Sequence, residues 1–527
     1  MPLRLLGLCA ATTLLTLPAA AQGDGRSVSE AINAALSPIA YWADRIVFFA
    51  IPLEWLAGDG APGMPIICIW LLGAAIFFTI RMGFVNVRGV RQSFRIVSGA
   101  YDNPRHPGEV THFQALTAAL SGTVGLGNIA GVAVAISLGG PGATFWMIVV
   151  GLFGMASKFT EVTLGLKYRQ LDAKGRVSGG PMYYLRYGLA ERGMVRLGQV
   201  LAATAAVFCI LGAFGAGAVF QVNQASQQFV QAMAPALFGE GSFLVGRQWI
   251  IGLIYAALIG MVIIGGIRSI VKVTERLVPL MAILYMSAAL VVLAIHFTEI
   301  PAAFGKIFAG AFSPEAGIGG LIGAMVWGLR RATFSNEAGV GSAAIAHAAA
   351  KTNEPVSEGL VALLEPFVDT VIVCTTTALV IIVTGQYLTA EAADGIALTS
   401  SAFESVIGWF PYILSLAVLM FAFSTSLTWF YYGERSFLYL VGRDQPIAGT
   451  AFKLVFLAVL VAGSALQLGA VVQLADATLL AMAFPNLIGV FIMSGQVKRM
   501  MDDYFARVRS GDIVPEAERA AVGQAAE

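Results

Sequence analysis

About eleven stretches of roughly 17–25 mostly apolar residues recur along the chain, each long enough to cross a bilayer core as a helix. They lie near 63–82, 113–138, 143–166, 197–220, 248–266, 277–297, 317–348, 359–386, 411–432, 449–468 and 474–496. Backbone polar groups at that depth have no water to bond to, and a helix satisfies them within each segment. The expected fold is therefore an all-α polytopic membrane protein. Composition excludes the main rivals. Only 12% of the 527 residues are charged and 57% are hydrophobic, whereas a soluble domain carries about 25% charge. An ordinary soluble enzyme and a disordered chain are both excluded. The 32 Lys+Arg are matched by 31 Asp+Glu, so no basic excess is available to neutralise nucleic-acid phosphates. The 59 glycines and 17 methionines point to close helix packing. Cys9, Cys68, Cys209 and Cys374 sit singly in apolar runs and form neither a disulfide framework nor a zinc pattern.

Residues 1–21 combine Arg4, an apolar stretch and the small residues Ala19, Ala20 and Ala21, as in a cleavable secretory signal. The competing reading is a short first transmembrane helix. Residues 41–57 are broken by Asp44, Arg45 and Glu54 and read as an interfacial helix. Positive charge is sorted between loops. Arg81, Arg88, Arg91, Arg95 and Arg105 follow the first stretch, and Lys167, Arg169, Lys174, Arg176, Arg186, Arg192 and Arg196 follow the third. Arg268 and Lys272, Arg435 and Arg443, and Lys498 and Arg499 follow the fifth, ninth and last, while 139–142 has none. The positive-inside rule puts the mature N-terminus outside and the C-terminus in the cytoplasm, as a signal peptide requires.

Two stretches are not plain helices. The second contains Ser121-Gly122-Thr123-Val124-Gly125-Leu126-Gly127-Asn128 and the seventh contains Thr333-Phe334-Ser335-Asn336-Glu337-Ala338-Gly339-Val340-Gly341-Ser342. Glycine costs a helix about 1 kcal/mol against alanine. Irregular backbone at that depth is tolerated where it is buried in protein or lines a cavity. Each broken stretch opens a block of five, and an odd number of crossings inverts the second block. That is the layout of an inverted-repeat transporter. It divides the chain into a signal (1–21), an outer N-terminal segment (22–62), an extra first span with its loop (63–112), two repeats (113–297 and 317–496) and a cytoplasmic tail (497–527). Taken alone, Gly127 and Gly131 also fit a small-residue helix contact. As a dinucleotide fingerprint they fail, because no strand precedes them.

The segments SGTVGLGNIAGVAVAI, GGPGATFWMIVVGLFGMASKFTE, GGPMYYL and FSNEAGVGSAAIAHAAAK resemble the alanine or glycine:cation symporter family, the sodium:alanine symporters. The resemblance runs from about 64 to 497. That family is similar in fold to the bacterial leucine transporter, with one extra helix in front. Val124 to Asn128 also resembles the first broken helix of the sodium-coupled neurotransmitter transporters. Ile148 stands where the family usually has a second Trp, Ala332 where Gly is usual, and Ala344 where Pro is common. These departures bear on pocket shape and substrate preference.

The resemblance implies a small amino acid bound between the broken helices. Its carboxylate would meet the backbone of Gly125, Leu126 and Gly127, with Thr123 adding a hydroxyl and Gln221 facing the substrate. Trp327 and Phe334 would limit pocket size. Sodium would sit between the second and ninth stretches, on carbonyls of Ser121, Val124 and Ala422 and hydroxyls of Thr425 and Ser426. Asn128 would hold a second ion or brace the break. Positions 422, 425 and 426 share one helical face, and neutral oxygens suit an exchangeable monovalent ion rather than calcium or magnesium. The opposing reading of these hydroxyls is back-bonding within the helix. Among charges inside spans, Lys158 and Glu161 are spaced to pair with each other. Arg330 and Arg331 are placed to pair with Glu337, Glu365 or Asp369. Asp369 lies about 15 Å along its helix, and an ionisable group at such depth is a functional candidate.

The expected function is import of alanine or glycine with sodium by alternating access, in the inner membrane of a bacterium. Sodium is cargo, no cofactor is implied, and the partners are the amino acid, the ion and the bilayer, with no obligate protein partner. Three alternatives stand: proton coupling through Asp369, a channel, and a membrane-embedded enzyme. The last needs a nucleophile–base pair, and His106, His112, His296 and His347 fall in loops or near span ends.

Overall fold

The computed structural model describes residues 28–52, 63–172, 175–239, 241–312, 317–389, 395–442 and 445–516. The expected signal (1–21), Glu54, Lys174, Glu391, Asp394, Arg443 and the tail end (517–527) lie outside the described residues. Helix follows the apolar stretches. Helix α1 (Val28–Val47) precedes α2 (Ile66–Arg81), and the short amphipathic α3 (Val90–Val97) lies in the arginine-rich loop. Residues 112–312 hold α4 (His112–Thr123), α5 (Val132–Gly139), α6 (Gly142–Lys167), α7 (Pro181–Ala190), α8 (Val195–Phe238), α9 (Trp249–Ile263), α10 (Gly266–Ile295) and α11 (Ile300–Phe312). Residues 317–510 hold α12 (Gly317–Asn336), α13 (Ala343–His347), α14 (Pro355–Thr384), α15 (Ile396–Glu404), α16 (Phe410–Val441), α17 (Pro446–Gly463), α18 (Leu468–Ala481) and α19 (Ala483–Ser510). Among the described residues, seven helical segments are long and apolar enough to cross a membrane, and α4 with α5 forms a further one bent by 50°. The apolar helices α2 and α9 are shorter. Among the described residues, strand is confined to two short antiparallel ladders, Ala50–Ile51 with Met64–Pro65 and Gln170–Leu171 with Val177–Ser178. The chain is an all-α polytopic membrane protein.

Two boundaries differ from expectation for physical reasons. The helix expected at 41–57 runs earlier and ends at Val47. It packs along α18, because Asn33 accepts from the Gln467 amide (2.9 Å) and Asp44 turns inward to Arg330 (2.9 Å). The fourth stretch continues well past 220 as α8, through the polar run Gln221-Val222-Asn223-Gln224. Carboxamides are tolerated there because they have partners. Asn223 donates to the carbonyls of Gly463 (3.2 Å) and Leu466 (2.7 Å), and Gln228 donates to Ser400 and Ser415 (3.2 Å each).

Close packing uses the glycines. Gly217 lies in a π-helical turn of α8 against buried Trp429 of α16, and a methyl there would overlap the indole's own side chain. Gly73 on α2 faces open space. Gly217→Val is therefore expected to cost about 1–3 kcal/mol through overpacking, read as a lower midpoint in a thermal scan of the purified protein. Gly73→Ala should not lower the midpoint, and removing a mid-helix glycine there should raise stability by up to about 1 kcal/mol.

Candidate functional site

The first break is built by local chemistry. A capping box opens α4: Thr111 Oγ1 accepts from the Gln114 amide (3.2 Å), and Gln114 Oε1 accepts from the Thr111 amide (3.1 Å). The helix ends at Val124, where ψ rises to 84°. The chain then resumes through a π-helical turn, Gly127–Gly131. The N–H groups exposed at this junction take side-chain acceptors. Gly125 donates to Asn128 Oδ1 (2.8 Å) and Leu126 donates to Gln221 Oε1 of α8 (3.3 Å). A side chain at Gly125 would run into the Thr425 hydroxyl. A Cβ at Gly127 would lie 3.3 Å from the Phe334 ring and 3.4 Å from the Ser335 Cα, so the two broken helices touch here.

The second break separates α12 from α13. Glu337 takes a left-handed φ of 56°, and Gly339 and Gly341 follow at 95° and 84°. Asn336 Oδ1 accepts from the Ala338 amide (2.9 Å), and Asn486 of α19 donates to the Gly339 carbonyl (2.8 Å) and to Glu161 (2.8 Å). The Tyr184 hydroxyl donates to Asn486, and the Ser342 hydroxyl to Glu337.

Two further helices pack against the junction. A π-helical segment of α14, Phe367–Cys374, presents Asp369. Its carboxyl accepts from Asn128 (2.5 Å), Ser335 (2.8 Å) and Thr370 (2.7 Å), and Cys374 Sγ lies 3.2 Å from the Ser335 hydroxyl. On α16, Thr425 donates to the Ser121 carbonyl (2.9 Å), and Ser121 donates back to the Ser424 carbonyl (2.8 Å). Ser121, Val124, Gly125, Leu126, Gly127, Asn128, Gln221, Phe334 and Thr425 are thus brought to one buried junction. The remaining candidates sit differently. Thr123 turns its hydroxyl back onto the carbonyls of Ala119 and Leu120 (3.4 Å each). Ser426 donates to the Gly217 carbonyl (2.8 Å) and lies 3.1 Å from the Tyr255 hydroxyl. Ala422 is buried one turn before Thr425. Trp327 lies nearly three turns before the break, its ring 4.7 Å from the Arg330 guanidinium. Phe334 packs edge-on against Phe220 (4.8 Å).

The buried charges pair otherwise than their spacing implies. Lys158 does not pair with Glu161 but reaches Glu365 on α14 (3.3 Å). Arg330 and Arg331 do not meet Glu337, Glu365 or Asp369. Both pair with Asp476 of α18, and Arg330 also pairs with Asp44 and lies 3.6 Å over the Phe48 ring. His112 and His347 are both buried and both bonded to Glu358. Sequence reading missed Ser335, although it stands inside the quoted SNEAG motif. It also missed Glu358, whose seven-residue spacing from Glu365 places both on one face of α14. Away from the arginine-rich end, a cavity of about 390 Å³ is lined by Asn33, Asn223, Gln227, Gln231, Gln248 and Gln467.

Interrupted helices that meet inside a polytopic bundle, over carbonyls, hydroxyls and half-helix N-termini, define the class of secondary transporters. A family model described as the sodium:alanine symporter family matches residues 58–518, and the chain belongs to that family. The sodium/alanine symporter AgcS of Methanococcus maripaludis is 41% identical over 82% of this chain and 92% of its own length. A Bacillus subtilis protein described as the putative sodium/proton-dependent alanine carrier protein YrbD is 34% identical over 85% and 91%. The crystal structure of MhsT in complex with L-phenylalanine is similar with a TM-score of 0.49 and 16% identity, over 74% of this chain and 99% of that one. The chain is a transporter, and the membrane-embedded enzyme alternative falls with that assignment.

The charge cluster of α1, α12 and α18 generates a stability prediction. Removing one partner of a buried ion pair costs about 3–5 kcal/mol, so Asp476→Ala, which strands buried Arg331, should lower the unfolding midpoint sharply. Asp44 is partly exposed, with 24% of its side-chain surface accessible. Asp44→Asn should cost about 1 kcal/mol or less. Denaturant titration of both variants in detergent compares them.

Proposed function

We propose that this protein imports a small neutral amino acid, alanine or glycine, coupled to sodium by alternating access. The observation that carries the reading is the meeting of the two breaks, with Gly127 against Phe334 and Ser335, and Gly125 against Thr425 and Gln221. Backbone N–H groups at the start of a half-helix suit a carboxylate, since the helix N-terminus carries partial positive charge. The substrate carboxylate takes over the amides of Gly125, Leu126 and Gly127, displacing Gln221 from Leu126. Glycine at these positions admits that approach. Sodium sits beside it on the carbonyls of Ser121, Val124 and Ala422 and the hydroxyl of Thr425, with Ser426 joining after its side chain rotates from the Gly217 carbonyl. The relative AgcS is named for sodium and alanine, which supports both cargoes. The leucine-transporter-like repeat of 113–297 and 317–496 supplies the rocking geometry in this reading. Loop arginines put the C-terminus in the cytoplasm of a bacterial cell.

The driving forces are adequate. A potential of 100 mV supplies about 2.3 kcal/mol per charge, and a tenfold sodium gradient about 1.4 kcal/mol. Together, about 3.7 kcal/mol supports roughly 500-fold accumulation with one ion.

Proton coupling is the second reading, because Asp369 is a buried carboxyl at the junction and YrbD is described as sodium/proton-dependent. Asn128 donates to Asp369, while the Ser335 and Thr370 hydroxyls beside it can donate to a carboxylate or accept from a carboxylic acid, so these contacts accommodate either protonation state. Uptake of labelled alanine into proteoliposomes separates the two. An imposed sodium gradient is expected to drive concentrative uptake that glycine, serine and D-alanine compete with to differing degrees. Uptake driven by a pH gradient alone, without sodium dependence, overturns the proposal. Thr425→Ala should raise the sodium concentration for half-maximal uptake about tenfold, the loss of roughly 1.4 kcal/mol of ion binding. An unchanged sodium response removes the ion position assigned here.

A further inference from the structure

The arginine-rich end of the bundle is closed by a seam between the two broken helices. The chain entering α4 forms a parallel bridge with the chain leaving α13, Val110 opposite Ala350. The amides of Glu109 and Val110 donate to the Ala349 carbonyl (2.8 and 3.2 Å), and the Lys351 amide donates to the Val110 carbonyl (2.8 Å). Arg169, after α6, binds four carbonyls across the seam, those of Pro107, Ala348, Ala350 and Thr352, at 2.6–2.8 Å. Beneath it runs a buried chain of side chains. His112 Nδ1 meets Glu358 Oε2, Glu358 Oε1 lies 2.6 Å from His347 Nδ1, His347 Nε2 lies 2.5 Å from Glu365 Oε1, and Lys158 donates to Glu365 Oε2 (3.3 Å). His347 is the last residue of α13, and both glutamates belong to α14.

Counting hydrogens decides the state of this chain. Each nitrogen-to-carboxylate contact needs one hydrogen. His112 supplies its own as a neutral imidazole, and Lys158 always carries hydrogens to give. Neutral His347 has one hydrogen for two contacts. With both glutamates ionised, one contact would set lone pair against lone pair. The chain as built therefore holds one additional proton, shared among Glu358, His347 and Glu365. The other charged or titratable groups facing it are Asp102 before α4, Glu161 on α6, Arg169, Glu337 at the second break, and Tyr432 on α16.

We propose that His347 is a proton-binding site that locks this end of the transporter. With the proton bound, the end of α13 is pinned to α14, and through Glu358 to the start of α4. When the proton leaves, one contact turns repulsive, the pin releases, and the backbone seam opens. The assignment is independent of which amino acid or ion is carried. It also singles out two isosteric variants. In Glu365→Gln the amide donates to His347 Nε2 while its oxygen accepts from Lys158. In Glu358→Gln the amide donates to His347 Nδ1 while its oxygen accepts from His112. Either variant fills every contact without the extra proton.

Hydrogen exchange of the full chain in lipid nanodiscs tests this, at pH about 6 and about 8.5 and corrected for intrinsic rates. Peptides containing 107–112 and 347–352 read the seam, and peptides within 142–167 serve as the internal reference. For the wild type, seam protection should fall with rising pH by up to about tenfold per pH unit, the slope of one proton. Both glutamine variants should keep their protection at the higher pH. Wild-type protection that does not change with pH overturns the proposal. So does a glutamine variant that folds, as its reference peptides report, yet loses seam protection as the wild type does.

Discussion

An N–H or C=O that leaves a helix inside a bilayer has no water to turn to, and most of this site follows from that fact. A buried polar group left unpaired costs about 1–3 kcal/mol. The breaks at Val124–Leu126 and Glu337–Gly341 expose several. Carboxamides meet the need: Asn128 and Gln221 accept from the first break, and Asn336 and Asn486 serve the second. A carboxamide donates and accepts without burying charge, so it can brace a break and hold a second element with its other atom. Asn128 does this between Gly125 and Asp369, and Asn486 between Gly339 and Glu161. The breaks are tied to α8, α14 and α19 by the groups that stabilise them.

Formal charge is arranged around this junction. One cluster, of Asp44, Arg330, Arg331 and Asp476, balances two cations with two anions on α1, α12 and α18. The other, of His112, Glu358, His347, Glu365 and Lys158, lies toward the arginine-rich end. Between them the junction is lined mainly by amides, hydroxyls and carbonyls, with Asp369 held by Asn128, Ser335 and Thr370 and Glu337 held by Ser342 at the second break. Burying charges is expensive unless each is paired and hydrogen-bonded. The two clusters offset that cost by pairing, and the Gly125–Leu126 backbone between them is met by carboxamides rather than by formal charge, which in the proposed reading suits a zwitterion and a weakly held monovalent cation.

The helices and both breaks were legible because they are local. Length, apolarity and clustered glycine are properties of one segment, and the positions of the breaks followed from Gly125, Gly127, Gly339 and Gly341 alone. The approach of Thr425 to Ser121 was legible only through family resemblance. Charge pairing was not legible. Lys158 and Glu161 are spaced to meet on one helix, yet Glu365 and Asn486 arrive from other helices and take one each. Asp476, 146 positions from Arg330, carries no local sign of its role. Side-chain direction was equally hidden. Thr123 and Ser426 stand where hydroxyls were expected to face the chamber. Each bonds a backbone carbonyl instead, because a buried hydroxyl takes the nearest acceptor.

The second broken stretch reaches both charge clusters. Arg330 and Arg331 on α12 belong to one, and His347 at the end of α13 belongs to the other. In an unbroken helix, loosening one cluster would displace the other, because a helix transmits translation along its axis. Alternating access requires the reverse: one end opens while the other stays closed. Glu337–Gly341, with three residues at positive φ, interrupts that transmission. The Glu337 amide still donates to the Thr333 carbonyl (2.9 Å), and beyond it the Ala338 amide and the Gly339 carbonyl are held by Asn336 and Asn486 rather than by a helical ladder. In the proposed reading, the break that opens the backbone beside the substrate position would also uncouple the two closures, so that a single feature of the chain serves binding and access together.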